Sequence, residues 1–99
     1  MTPDTLQIRL GYVIRHHRER LQCSQEEFAD LVGVHRTYYG AIERGQQNPT
    51  LRNLQRIARS LSMRLSGLVA EAEDLDLESA VREPSLPPRR GRPPGKRNP

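Results

Sequence analysis

Arg36, Thr37, Tyr38 and Ala41 bring a guanidinium, two hydroxyls and a small methyl into one short stretch of chain. A guanidinium can donate two hydrogen bonds to guanine O6 and N7. The Thr37 hydroxyl suits a base or a phosphate, and its methyl suits thymine. Tyr38 can pack on a sugar–phosphate backbone or reach a phosphate. Ala41, one helical turn after Thr37, leaves room for close approach and can itself touch a thymine methyl. Held on one face of a helix, these four groups suit the reading of base-pair edges. The bland alternative is a solvated polar helix face.

The residues just before them supply the means of presenting such a helix. Ser24 has a hydroxyl able to accept from an unpaired first-turn N–H, and Glu27 can reach back to the Ser24 N–H, completing a capping box. Cys23 and Phe28 stand where apolar residues clamp a helix entry. Gly33 supplies the left-handed residue that ends a helix. The chain restarts at His35 or Arg36. Two helices, about 25–32 and 36–44, joined by a tight Gly-containing turn, make a helix-turn-helix. The first of them should bury Phe28, Ala29 and either Leu31 or Val32. The second should turn Tyr39 and Ile42 inward, with Gly45 closing it.

Ser24-Gln25-Glu26-Glu27, Ala29, Leu31, Gly33-Val34, Ile42-Glu43-Arg44-Gly45 and Asn48-Pro49-Thr50-Leu51, in this order and spacing, resemble the Cro/repressor-type (Xre-like) helix-turn-helix family over roughly residues 5–70. The resemblance implies an all-α, compact five-helix, lambda-repressor-like domain that binds double-stranded DNA, usually as a homodimer, and regulates transcription as repressor or activator. It places Arg36, Thr37, Tyr38 and Ala41 at the DNA-facing positions. It makes Gln25 a phosphate contact that can also brace the start of the following helix. It makes Arg18 and Glu43 a structural ion pair between the first and third helices. Restriction–modification controllers and antitoxins share this domain, and no residue here selects between them. The chain departs from the family at Tyr39, where Ile, Leu or Val is usual. A buried Tyr needs a partner for its hydroxyl, so a wetter core is expected beneath this helix.

The residues alone suggest phosphate contacts as well. Gln25 lies in a first helical turn, where open N–H groups favour an anion, although it could be simply a helix-start residue. Gln46, Gln47 and Asn48 occupy the loop after the recognition helix, with Arg44 just before them. Such contacts set register and affinity rather than sequence preference.

Helical periodicity frames the rest. A first helix over about Thr5–Leu21, with Asp4 as cap, would bury Leu6, Leu10, Val13, Ile14, His17 and Leu21. Thr50 should cap a fourth helix with Leu51, Leu54, Ile57, Ala58 and Leu61 inward. A fifth should begin near Leu65, and its continuation past Ala72 is left open. The organisation expected is a DNA-binding domain over residues 1–72, an acidic segment or helix extension over 73–83, and a Pro/Arg-rich disordered tail over 84–99. Dimerisation is expected through Leu65, Leu68, Val69, Leu75 and Leu77.

Ninety-nine residues with 34% hydrophobic content and no Trp allow one modest core. The lone cysteine, Cys23, excludes an internal disulfide and a cysteine-based zinc site. His16, His17 and His35 are not spaced as a metal motif, and no cofactor, small-molecule ligand or catalytic group is evident. His17 reads as a core-edge residue, and His35 as a helix cap or phosphate donor. No run approaches a membrane span. The start, MTPDTLQIRLGY, has no apolar signal region, so a cytoplasmic location is expected.

Charge is unevenly placed. Residues 1–70 carry net +4, residues 71–83 net −5 and residues 84–99 net +5. A basic domain and a basic tail suit a nucleic-acid partner. Glu71, Glu73, Asp74, Asp76 and Glu78 read as a solvated face, or as a patch that holds the tail in the absence of DNA. Within the tail, Arg90-Gly91-Arg92-Pro93 resembles an AT-hook. Gly91 would let the backbone lie against a narrow minor groove, and Arg90 and Arg92 would follow its negative potential. A merely basic, phosphate-seeking tail is the alternative. Two rival functions are a protein-interaction module on the same fold and an architectural AT-rich-DNA protein led by the tail. The first predicts weak, salt-insensitive DNA binding, and an Arg-bearing third helix argues against it.

Overall fold

The computed structural model describes residues 5–82, and the side chains of residues 5–80. Six helices follow one another: α1 Thr5–Arg20, α2 Gln25–Val32, α3 Arg36–Glu43, α4 Leu51–Ser60, α5 Leu65–Asp74 and α6 Leu77–Arg82. Local chemistry sets most boundaries. The Ser24 hydroxyl accepts from the Glu27 N–H at 3.0 Å, and the Glu27 carboxylate accepts from the Ser24 N–H at 2.9 Å. Gly33, at φ +90°, ends α2 in the left-handed region that only glycine enters without strain. Thr50 caps α4 by accepting from the Asn53 N–H at 3.0 Å.

The core is shared by five helices. Ile14 of α1, Phe28 of α2, Tyr39 and Ile42 of α3, Ile57 of α4 and Leu68 of α5 are its largest fully buried side chains. The Phe28 and Tyr39 rings meet at a tilt, with centroids 5.3 Å apart. Helix α1 packs on both α3 and α5, and α2 lies against α3 and α4. The half-buried His17 ring brings Nε2 to 2.7 Å from Glu71 Oε1, a polar tie between α1 and α5. Glu71 is thus engaged with the domain rather than only solvated.

Of the two alternatives on α2, Val32 is buried and Leu31 is exposed. Other apolar expectations are corrected. Leu6 and Leu21, at the two ends of the α1 stripe, are exposed, as is Leu51 at 72%. Each of these sits at a helix terminus, where the stripe runs past the neighbour that covers its middle. Leu68 is fully buried within its own chain and is not available to a second copy, whereas Leu65, Val69 and Leu75 are half-buried against the core edge. The open continuation after α5 breaks at Leu75, which is extended at φ −67° and ψ 130°. The chain restarts because Asp76 accepts from the Ser79 N–H at 3.3 Å, the local side-chain bond by which Asp starts helices rather than continuing them. Among the described residues no helix is long and apolar enough to cross a membrane. Asp4 and the whole tail, including Arg90, Gly91, Arg92 and Pro93, lie outside the described residues.

Where α1 crosses the end of α3, the backbones touch. A Cβ on Gly11 would stand 2.4 Å from the Glu43 carbonyl oxygen and 2.7 Å from that of Ile42. Those atoms are backbone and cannot step aside, so only glycine permits this crossing. Gly11→Ala should therefore destabilise the domain at or above the upper end of the roughly 1–3 kcal/mol typical of overpacked sites. Gly67→Ala, at a helical position with nothing within 4 Å, should instead stabilise it by about 0.5–1 kcal/mol. Urea unfolding of the two variants checks both signs.

Candidate nucleic-acid interface

Helix α3 has one face locked and one face open. Tyr39, Gly40, Ile42 and Glu43 are buried. Arg36, Thr37, Arg44, Gln46, Gln47 and Asn48 are exposed, and Tyr38 and Ala41 are half-buried. The four residues expected at base edges thus share the outer side and flank of one helix, with the expected phosphate group around its far end. His35 is the N-cap by backbone position, but its side chain makes no capping hydrogen bond. The first-turn N–H groups of α3 are therefore not taken by it.

What locks α3 is a buried carboxylate. The Glu43 side chain is 2% exposed and receives four hydrogen bonds from three helices. Arg18 of α1 donates Nε to Oε2 at 2.7 Å and Nη2 to Oε1 at 3.0 Å. Gln25 of α2 donates Nε2 to Oε1 at 2.9 Å. The Tyr39 hydroxyl donates to Oε2 from within α3. Two donors on each oxygen fill the acceptor capacity of an ionised carboxylate. Arg18 also donates Nη1 to the Cys23 carbonyl at 2.8 Å, which ties the turn before α2 to the same centre.

The electrostatics follow from this geometry. Burial works against the charge on Glu43, but the hydrogen bonds from Arg18, Tyr39 and Gln25 outweigh it and hold the carboxyl below its ordinary value. Burial likewise opposes the Arg18 charge, and its bonds to Glu43 more than offset that, raising its pKa. Burial, then the neighbouring Glu43 charge, pushes the Tyr39 hydroxyl far up, so it stays a donor at any working pH. Tyr39 therefore finds its partner in Glu43, and the expectation of a wetter core gives way to a saturated carboxylate.

Gln25 braces α3 at its C-terminal Glu43 rather than at its start. The absence of a side chain at Gly40 lets Gln25 and Arg44 lie close over the helix, since a Cβ there would be 3.2 Å from Arg44 Nη1 and 3.6 Å from Gln25 Oε1. Arg44 and Gln46 are tied together, Nε to Oε1 at 3.0 Å. The loop is anchored from α1, where Gln7 Nε2 donates to the Gly45 carbonyl at 2.8 Å. Sequence reasoning missed Gln7 and also Asn53, whose amide reaches the Tyr38 hydroxyl at 3.1 Å. Both contacts join distant segments, and no local pattern announces them.

Arg18→Met would leave the Glu43 carboxylate buried with only Tyr39 and Gln25, so a loss of about 3–5 kcal/mol in urea unfolding is expected. Because the folded-state pKa of Glu43 is depressed, its contribution is full above the unfolded value and is lost as pH falls below it toward the folded one. The wild-type chain should therefore lose stability as pH drops below the ordinary glutamate value of 4.5, and Glu43→Gln, already lacking the charge, should show a shallower loss across that window.

Known proteins place this arrangement. A family model described as helix-turn-helix matches residues 14–68. The control protein C.MunI of a Mycoplasma species is 39% identical over 71 residues, which span 71% of this chain and 96% of that protein. The crystal structure of the restriction-modification controller protein C.AhdI from Aeromonas hydrophila, 35% identical, superposes with a TM-score of 0.61 over 63% of this chain and 94% of its own. The clp gene regulator ClgR from Corynebacterium glutamicum shares the fold, with a TM-score of 0.70 at 22% identity over 82% of this chain and 87% of that one. An open α3 locked against α1 and α2, within a matched stretch of this length, makes the chain a member of the helix-turn-helix family of DNA-binding transcriptional regulators.

Proposed function

We propose that this chain is a controller-type transcriptional regulator that reads a short half-site in the major groove with α3 and acts as a pair of copies on a two-fold operator. Arg36, Thr37, Tyr38 and Ala41 contact bases. Gln25, Arg44, Gln46, Gln47 and Asn48 hold phosphates around them. The observation that carries this reading is the open N-terminal end of α3: Arg36 and Thr37 are exposed, while the opposite face of the same helix is fixed by the Glu43 centre. A rigid helix with free donors at its N-terminal end suits major-groove recognition. The controller part of the proposal rests on the names of the similar proteins C.MunI and C.AhdI.

Selection of bound sites from random DNA, followed by footprinting, should yield a two-fold symmetric site. On that site Arg36→Ala should cost roughly 1–3 kcal/mol and relax the preference at one base pair. An equal loss on random DNA would move Arg36 to the phosphate group.

The tail adds a second expected contact. With Arg90-Gly91-Arg92-Pro93 as a minor-groove element, Arg92→Ala should weaken binding to operators with AT-rich flanks and leave GC-rich ones nearly unchanged. A plain basic tail would lose a similar small amount on both, through one phosphate contact and a log–log salt slope reduced by roughly 0.9. Titrations on the two flank types at several salt concentrations separate these readings.

A further inference from the structure

Tyr38 packs its ring against the edge of the core, and its hydroxyl oxygen lies 3.1 Å from Asn53 Nδ2 in the first turn of α4. Asn53 is itself held in place, because its backbone N–H is the one that Thr50 Oγ1 accepts at 3.0 Å. Which end of its amide faces Tyr38 follows from the neighbour on the other side. A guanidinium only donates, and Arg56 Nη1 lies 3.5 Å from Asn53 Oδ1. The oxygen is therefore turned to Arg56 and the NH2 group to Tyr38.

That orientation decides what the Tyr38 hydroxyl can offer. A phenol has one proton to give and lone pairs to receive with. Asn53 fills an acceptor site of the oxygen and, turning its NH2 group, has nothing to accept the phenol proton. Among the described residues no acceptor takes that proton. We propose that Asn53 is a positioning residue: without touching DNA, it fixes the Tyr38 hydroxyl as a hydrogen-bond donor aimed at an acceptor oxygen or nitrogen of the operator. The inference rests on the reading of α3 as the DNA-facing helix and adds to it a polarity. Tyr38 favours acceptors, which a phosphate oxygen or a base edge can provide, over donors such as the cytosine or adenine amino group, because its proton is free while Asn53 already occupies one of its acceptor sites.

The test is a double-mutant cycle on the full chain with the selected operator and with random duplex, comparing wild type, Asn53→Ala, Tyr38→Phe and the double variant. Asn53→Ala keeps the backbone N–H that Thr50 uses, so the α4 cap is retained. Urea unfolding fixes a temperature at which all four proteins are folded. Should Asn53→Ala melt the domain, Asn53→Leu, of similar size and without a donor, replaces it in the cycle. Tyr38→Phe is expected to lose about three- to ten-fold in operator affinity, the worth of one hydrogen bond. Asn53→Ala is expected to lose a comparable or smaller factor, and the double variant no more than Tyr38→Phe alone. Losses confined to the operator identify a base-edge acceptor, and equal losses on random duplex identify a phosphate. Factors that multiply in the double variant, or an Asn53→Ala protein of unchanged affinity, overturn the proposal while leaving the α3 reading intact. A Tyr38→Phe protein of unchanged affinity overturns the proposal and the DNA contact assigned to that hydroxyl, and the Arg36 variant reports separately on the rest of α3.

Discussion

A buried carboxylate sets the terms for the helices that carry this site. Glu43 stands at the C-terminal end of α3, where the helix dipole already disfavours negative charge, and its side chain is sealed from solvent. An ionised group in that position is tolerable only when its oxygens are fully satisfied. Two of the donors come with a constraint between helices: Arg18 ties α1 and Gln25 ties α2 to the end of α3, while Tyr39, one turn back on α3 itself, completes the shell. An apolar plug of equal volume could hold the helices together as strongly. It would not define their relative rotation as sharply, because apolar contacts are non-directional and hydrogen bonds are not. Rotation of α3 is what decides which side chains face outward.

The close crossing at Gly11 works with that centre rather than beside it. With no Cβ in the way, α1 comes down onto the last carbonyls of α3, and this brings the Arg18 guanidinium within reach of the carboxylate at the same helix end. A cation there also complements the partial negative charge of the α3 C-terminus. Gln7, from the same helix, then holds the Gly45 carbonyl. One face of α1 thus supplies the packing, the counter-charge and the loop anchor for the helix whose opposite side is left open.

What was legible in the sequence divides along the range of the interactions. Ser24 with Glu27, Gly33 at the turn and Thr50 before α4 act over three or four residues, and their chemistry can be read from spacing alone. Membership of the apolar stripes was legible in their middles and not at their ends. Leu6, Leu21, Leu31 and Leu51 fit the helical period, yet coverage depends on how far the neighbouring helix extends. Tyr39 was visible as an anomaly in need of a partner, and the partner lay one helical turn away at Glu43. The need for Gly11 and the link from Asn53 to Tyr38 were not legible, because each depends on where a distant helix falls. The break at Leu75 is intermediate: Asp76 is a local signal, but the apolar run on both sides of it masked the stop.

The size of α3 bounds how such a protein can be specific. Eight residues at about 1.5 Å rise make a helix roughly 12 Å long, which spans about three to four base-pair steps of roughly 3.4 Å each. A site that short recurs by chance throughout any genome, so one copy of the domain cannot mark an operator however good its contacts are. Additional information has to come from a second α3 at a fixed spacing, from the tail, or from both. The two sources differ in kind. A second copy contributes another set of base-edge contacts and imposes symmetry on the site. A minor-groove tail reads width and AT content, which are degenerate. The proposed pair of copies therefore supplies most of the sequence discrimination, and Leu65, Val69 and Leu75, half-buried at the edge of the core, are better placed to join them than Leu68, which the chain has already consumed in its own packing.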